Sequence, residues 1–224
     1  MSDTRVIQSQ DGLAGIEAYT RGDHARAAVL FRQALDTATD PAERLALLIH
    51  LSNARDAEGA HTDALDALRL ALEIDDGDTA VWNNIGVICL KIGRLAEARE
   101  ALERAVSLNP SNVAALVSLG SVALKLSDPG NAKAALERAL DLAPGHPAAH
   151  ANMAITLALF GRIEEAEEEL RIAALYGFAD AEALQSRFDR LKEVRAAIIA
   201  RRDEERVDET NTDGGTSADE DATA

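Results

Sequence analysis

Three groups of side chains in this sequence have types and spacings that could do chemistry. His146 and His150 stand four apart in HPAAH, the separation that lets two imidazoles on one helix face share a zinc ion. His146, however, precedes Pro147, which drives it out of the helical region and into the turn before a helix, and the pattern offers no third ligand. Glu164, Glu165, Glu167, Glu168 and Glu169 are enough carboxylates for acid–base work, but they flank Ala166 and Leu170 at helical spacing, which makes them a solvated face. Cys89 is the sole cysteine, so no internal disulfide can form, and its apolar surroundings predict an inert packed thiol. There is no glycine-rich phosphate loop, nucleophile elbow or zinc-protease helix. The sequence therefore predicts no catalytic residue, no metal and no cofactor. The chemistry left is that of uncharged amides, which both donate and accept hydrogen bonds and so can pair with any peptide bond.

Those amides must be positioned by helices, and the stretch from Thr79 to Ser111 shows which. Trp82, Ile85, Gly86 and Cys89 share one face of a first helix, Gly93 marks a turn, and Ala98, Leu102 and Ala105 share one face of a second, with Pro110 closing the unit. Counted from Thr79 as position 1, these residues sit at positions 4, 7, 8, 11, 20, 24 and 27, with the proline at 32. A shift of 34 residues forward gives Leu116, Leu119, Gly120, Ala123, Ala132, Leu136, Ala139 and Pro144, and a second gives His150, Met153, Ala154, Leu157, Ala166, Leu170 and Ala173. One step back gives Leu48, Leu51, Ser52, Ala64, Leu68 and Ala71. The first unit needs a shift of 37, with Pro41 in the three-residue insertion, and supplies Gly15, Tyr19, Gly22, Ala27, Phe31 and Ala34.

Helices that approach to roughly 8 to 10 Å need small side chains where they touch. Position 20 is alanine in all five units, position 27 is alanine in all five, and position 8 is Gly15, Ser52, Gly86, Gly120 and Ala154. These positions resemble the tetratricopeptide repeat, whose pattern is W, L, G, Y, A, F, A and P over 34 residues. The departures are Trp82 as the only tryptophan at position 4, Phe178 in place of the proline of the last unit, and Ser127, Asp128, Pro129 and Gly130 at the fourth turn. The resemblance implies an all-α solenoid of antiparallel helix pairs wound as a right-handed superhelix, in which each unit packs only on its neighbours.

Composition agrees with that architecture. The chain has 224 residues, 47% of them hydrophobic but only 3% aromatic, as close helix packing on Ala and Leu requires. Its formal charge of −16 argues against nucleic acid or an anionic membrane as a partner, since both would repel it. The start, MSDTRVIQSQ, carries no apolar core and no run approaches the ~18 apolar residues of a span, which predicts a cytoplasmic protein. The pattern leaves homo-oligomerisation possible but does not indicate it.

The expected organisation is a flexible N-terminus over 1–7, five repeats over 8–180 (8–41, 45–78, 79–112, 113–146 and 147–180), a capping helix over 181–206 and a disordered acidic tail over 207–224. The capping helix is marked by Leu184, Phe188, Leu191, Val194 and Ile198 at spacings of three and four among Arg187, Arg190, Lys192, Glu193 and Arg195. The tail has six acidic residues, no basic ones and almost nothing to bury.

On the first helix of each unit, positions 2, 5, 6, 9, 12 and 13 lie opposite the packed face. The resemblance implies that this arc lines a concave groove that takes a peptide or helix of a partner protein. It holds Tyr19; Ile49, His50 and Asn53; Asn83, Asn84, Val87, Leu90 and Lys91; Val117, Ser118, Ser121, Leu124 and Lys125; and Asn152, Ile155 and Leu159. Position 6 is a half-filled amide ladder of His50, Asn84, Ser118 and Asn152, while Lys91 and Lys125 share position 13 and favour an acidic group. The clamp that family members use for chaperone carboxylate ends is missing, because position 5 is Ile49, Asn83, Val117 and Ala151. The expected function is a non-enzymatic scaffold binding a partner segment in the groove. The alternatives are an acidic chaperone for a dedicated client and the regulatory subunit of an enzyme complex.

Overall fold

The computed structural model describes residues 7–180 and, beyond them, 182–183, 185–186, 188–194, 196–198 and 200. The expected lead-in over 1–6, the tail over 207–224, and Leu184, Arg187 and Arg195 lie outside the described residues.

Among the described residues, ten α-helices make up the units: α1 (Gln10–Thr20), α2 (His24–Thr37), α3 (Pro41–Ala57), α4 (His61–Ile74), α5 (Thr79–Lys91), α6 (Leu95–Leu108), α7 (Val113–Lys125), α8 (Pro129–Leu142), α9 (Pro147–Leu159) and α10 (Ile163–Leu175). Asp23, Asp40, Asp78, Asn112, Asp128 and His146 stand immediately before helices, and each accepts an N–H of the following first turn through its side chain. His146 thus caps α9 from the turn, where its position before Pro147 put it.

Helices pair in sequence, α1 with α2 through α9 with α10, and each second helix packs on the first helix of the next unit. The repeated alanines sit at these contacts. Ala27, Ala64, Ala98, Ala132 and Ala166, and Ala34, Ala71, Ala105, Ala139 and Ala173, are all 0% exposed. Position 8 is small because position 24 presses on it: a Cβ built on Gly86 would lie 2.4 Å from Leu102 Cγ, and one on Gly120 would lie 2.7 Å from Leu136 Cγ. The first helices also touch one another, α1 on α3, α5 on α7 and α7 on α9, whereas α4, α6, α8 and α10 make no comparable contacts among themselves. From α5 to α9 the array therefore closes on the side of the first helices and splays on the side of the second.

Every turn between paired helices passes through positive φ at position 15. Gly22, Gly59, Gly93 and Gly161 hold φ of 82°, 79°, 78° and 79°, and Ser127 holds 59° in the fourth unit, where the side chain makes this conformation costly.

The insertion near Pro41 is not linker. Pro41 opens α3, and the added turn ties down the first unit: the Glu43 carboxylate accepts the N–H groups of Gln8 (2.9 Å) and Ser9 (2.8 Å), while Arg44 Nη1 donates to the carbonyls of Leu35 (3.0 Å) and Ala38 (3.1 Å). The bonds from Ser9 and Gln8 hold the Glu43 carboxyl below the usual carboxylate range. One turn thus satisfies donors at the start of α1 and acceptors at the end of α2, groups that every helix terminus leaves open.

The buried residues fall into two clusters that divide at α7. One runs from Ile7 to Ala115 and Val122, and the other joins Leu116 and Val117 to the last unit and Phe188. Phe188 is fully buried against that cluster, with Leu191 packed beside it and Lys192 paired to Glu167 at 2.5 Å. No helix among the described residues is long and apolar enough to cross a membrane.

Candidate binding groove

The row of amides on the first helices is stitched across repeats. Asn84 Nδ2 donates to Asn53 Oδ1 at 3.3 Å, and Asn152 Nδ2 donates to Ser121 Oγ at 2.8 Å. In both pairs position 6 of one unit reaches position 9 of the unit before it. Between these two rungs the same positions are Ser118 and Val87, which form no such bond, so polar and apolar rungs alternate. Ser121 Oγ in turn donates to the carbonyl of Val117 at 3.1 Å. Asn84 and Asn152 each spend one amide N–H in these bonds, while Asn53 accepts through its oxygen. Beside Asn84, the Oδ1 of Asn83 is buried with no hydrogen-bond partner among the described residues.

The apolar part of the expected groove is corrected by burial. Ile49 (9% exposed), Val117 (7%) and Ile155 (2%) are core residues; for Val117 and Ile155 the neighbouring first helices approach closely enough to cover their outward faces. His50 does not point into open space either; it is half-buried and stacks on Phe31 with ring centroids 5.4 Å apart. Tyr19 lies against His24 at 4.9 Å. Val87, Leu90, Ser118 and Leu124 remain half-buried and Leu159 is exposed.

The two lysines differ. Lys91 is bound across the repeat to Asp56, whose other oxygen lies 2.9 Å from His61 Nδ1. Lys125 is exposed and makes no ion pair among the described residues. Among those residues, the groove therefore carries one committed lysine and one uncommitted one.

The candidates for catalysis resolve into structure. His150 is buried, with Nδ1 2.5 Å from Glu169 Oε2 and Nε2 2.7 Å from the Pro144 carbonyl, and it stacks on Tyr176. Glu165, Glu167 and Glu168 are paired with Arg162, Lys192 and Arg171. Burial pushes the Cys89 thiol up, away from reactivity at neutral pH. No group of three metal-ligating side chains gathers among the described residues.

What sequence reasoning missed lies on the other side of the array. A cleft of about 260 Å³ opens between α6, α7 and α8, floored by Leu116, Leu119, Val122 and Ala123 and rimmed by Arg99 and Arg138. The available signal was the choice of side chains at three inter-repeat positions, only one of which, position 4, belongs to the repeat signature.

The ten helices thus form a solenoid of stacked helical hairpins, with Asn84 and Asn152 on its first helices bonded back to the preceding unit. A family profile described as the Cilia and flagella-associated protein 70 middle TPR-like domain matches residues 53–185, and one described as Tetratricopeptide repeat matches residues 13–79. The chain belongs to the tetratricopeptide-repeat family, whose members generally act by binding other proteins. Among solved structures, PilF of Pseudomonas aeruginosa is 24% identical over 85% of this chain and 86% of that one, at TM-score 0.68. TTC0263, a thermophilic TPR protein of Thermus thermophilus, is 21% identical over 81% of this chain and 96% of that one, at 0.63. MamA is 23% identical over 75% of this chain and 96% of that one, at 0.62. These likenesses concern the fold. None of the curated protein sequences compared with the chain matches it.

Proposed function

We propose that this protein is a non-enzymatic scaffold that holds a segment of a partner protein along its first helices, gripping the segment's main chain through the amide rungs. The observation that supports this most is the pair of cross-repeat bonds, Asn84 to Asn53 and Asn152 to Ser121, which hold two amides in fixed orientation. Preorganised donors and acceptors lower the ordering cost of binding an extended chain. Val87 and Ser118 between the rungs offer a small apolar step for one ligand side chain, and Lys125 favours a carboxylate at one end.

The experiment begins with a crosslinking pull-down from the native host and continues as an affinity series on the recovered partner. Asn84→Ala with Asn152→Ala should weaken binding by about 1 to 3 kcal/mol, because ligand peptide groups lose their partners. The same change should lower stability by about 1 kcal/mol for each lost cross-repeat bond, so melting curves accompany the series. Lys125→Glu should alter partner preference and salt dependence more than affinity for uncharged segments. Unchanged affinity in the double asparagine variant would show that the partner docks elsewhere.

A further inference from the structure

We propose that the cleft between α6, α7 and α8 is a second docking site, independent of the groove, for a helix of a partner protein that presents one large apolar side chain with a carboxylate a turn away. Three positions form each junction between units: position 21 of one unit and positions 4 and 23 of the next. Between the second and third units Leu65 at position 21, only 4% exposed, and the indole of Trp82 at position 4 occupy the space. On the fifth unit's side of its junction with the fourth, His150 and Glu169 pair with each other at 2.5 Å. Between the third and fourth units the same positions are Arg99, Leu116 and Ala135. Arginine turns its charge to solvent, leucine is smaller than tryptophan, and alanine cannot reach across. Because the second helices splay apart, α6 and α8 only rim the gap, and α7 lines its base with the half-buried Leu119 beside the fully buried Leu116 and Val122.

The size and charge of the cleft specify the occupant. At about 260 Å³ it falls below the roughly 300–1,000 Å³ of small-molecule sites and suits an anchoring side chain of the kind that dominates protein interfaces. α6 and α8, each the second helix of its unit, run in the same direction on either side of the floor, which is the arrangement that receives a helix in a groove. On the rim, the Asp128 carboxylate is already committed to α8, accepting Asn131 N–H at 3.1 Å and Asn131 Nδ2 at 2.5 Å. Glu103 lies 3.9 Å from Arg99 Nε. Arg138 makes only a long bond of 3.4 Å to the Pro110 carbonyl and no ion pair among the described residues. The uncommitted charge is thus positive, in a chain where acids outnumber bases 39 to 23. Leu126, 40% exposed, stands at the mouth next to Ser127, the one non-glycine residue with positive φ among the described residues. Backbone held in a costly conformation beside an apolar cleft is a recurring mark of binding sites.

The test uses the full chain, labelled with ¹⁵N, and two alanine-based helical peptides that share one phenylalanine and differ in carrying Glu or Lys four residues later. The Glu peptide is expected to shift the amides of Leu119, Leu126 and Ala135 and to bind at least about fivefold more tightly than the Lys peptide. Ala135→Leu, which fills the cleft, should abolish these shifts, and Arg138→Glu should reverse the preference between peptides even if the first variant folds poorly. Asn84→Ala with Asn152→Ala should leave the peptide shifts unchanged, which separates this site from the groove. Shifts confined to Asn84, Ser118 and Asn152, equal binding of both peptides, or no binding of either at millimolar concentration would overturn the proposal.

Discussion

The third unit turns at Gly93 with φ 78° and the fourth at Ser127 with φ 59°. Both have a second helix of 14 residues, both bury their two repeat alanines completely, and both seat a glycine under a leucine. They differ in what surrounds that shared frame. The α6 helix begins at Arg94 without a side-chain cap, whereas α8 begins at Asp128 with one. Trp82 sits over the start of the third unit, donating from Nε1 to the Asp76 carbonyl at 2.7 Å, while the fourth unit offers Leu116 and an open cleft. Residues inside a hairpin are held by the hairpin's own geometry, and residues between hairpins are free to vary. Individuality in such an array accumulates at the junctions.

The largest effect that could break this comparison is truncation inside each hairpin. Leu102→Ala and Leu136→Ala should each cost about 2 to 5 kcal/mol in denaturant unfolding, since both side chains are fully buried. Leu136→Ala should fall at the lower end, because the adjacent cleft lets α8 relax into the space. Equal losses at the top of that range would mean that the cleft gives no room to adjust.

A smaller contrast comes from the glycines. An added Cβ on Gly86 would lie 2.4 Å from Leu102 Cγ and 3.2 Å from the Ala98 carbonyl oxygen, and backbone cannot swing aside. On Gly120 the atoms within reach all belong to the Leu136 side chain. Gly86→Ala should therefore destabilise by about 1 to 3 kcal/mol, while in Gly120→Ala overpacking is nearly offset by the better helix propensity of alanine. Thermal melts of the two variants rank them directly.

The turns should respond with opposite signs. Ser127→Gly should stabilise by about 0.5 to 1 kcal/mol by relieving the left-handed conformation, and Gly93→Ser should cost about 1 to 2 kcal/mol. A gain from Ser127→Gly together with weaker binding at the cleft would connect the strained turn to the proposed second site.

The smallest effect is one of pH and, of the two units compared, belongs to the fourth. The Asp128 carboxyl is held below the usual carboxylate range, first by the Asn131 N–H and then by the Asn131 side chain. Its contribution is fully present above the unfolded value, about 3.9, and is lost as pH falls through the lower folded value. Hydrogen exchange of the first turn of α8 should accelerate in that acid window while that of α6 shows no matching change. Asp128→Asn, which keeps a capping oxygen but does not titrate, should flatten the response.

Much of the fold was legible because its signals are local and repeated. Alanine at positions 20 and 27 appears five times in succession, and the structure buries all ten of those residues. His146 before Pro147, the glutamates around Ala166 and the packed Cys89 each yielded to arguments about a single turn or helix face. The groove was less legible. A helical wheel ranks residues by direction from one helix axis, and by that measure Ile49, Val117 and Ile155 point outward, yet all three are buried.

What the sequence by itself determined is the period, the pairing of helices and the small residues between them, since each follows from spacing along one hairpin of 34 residues. Only the tertiary structure decided that the insertion at Pro41 would clasp the first unit, that Asn84 and Asn152 would bond backward to the preceding unit, and that Arg99, Leu116 and Ala135 would leave a cleft. The physical reason is that exposure and cavity volume depend on how side chains from three helices in two units fill a shared space. That sum is taken across a junction, and no single repeat contains all of its terms.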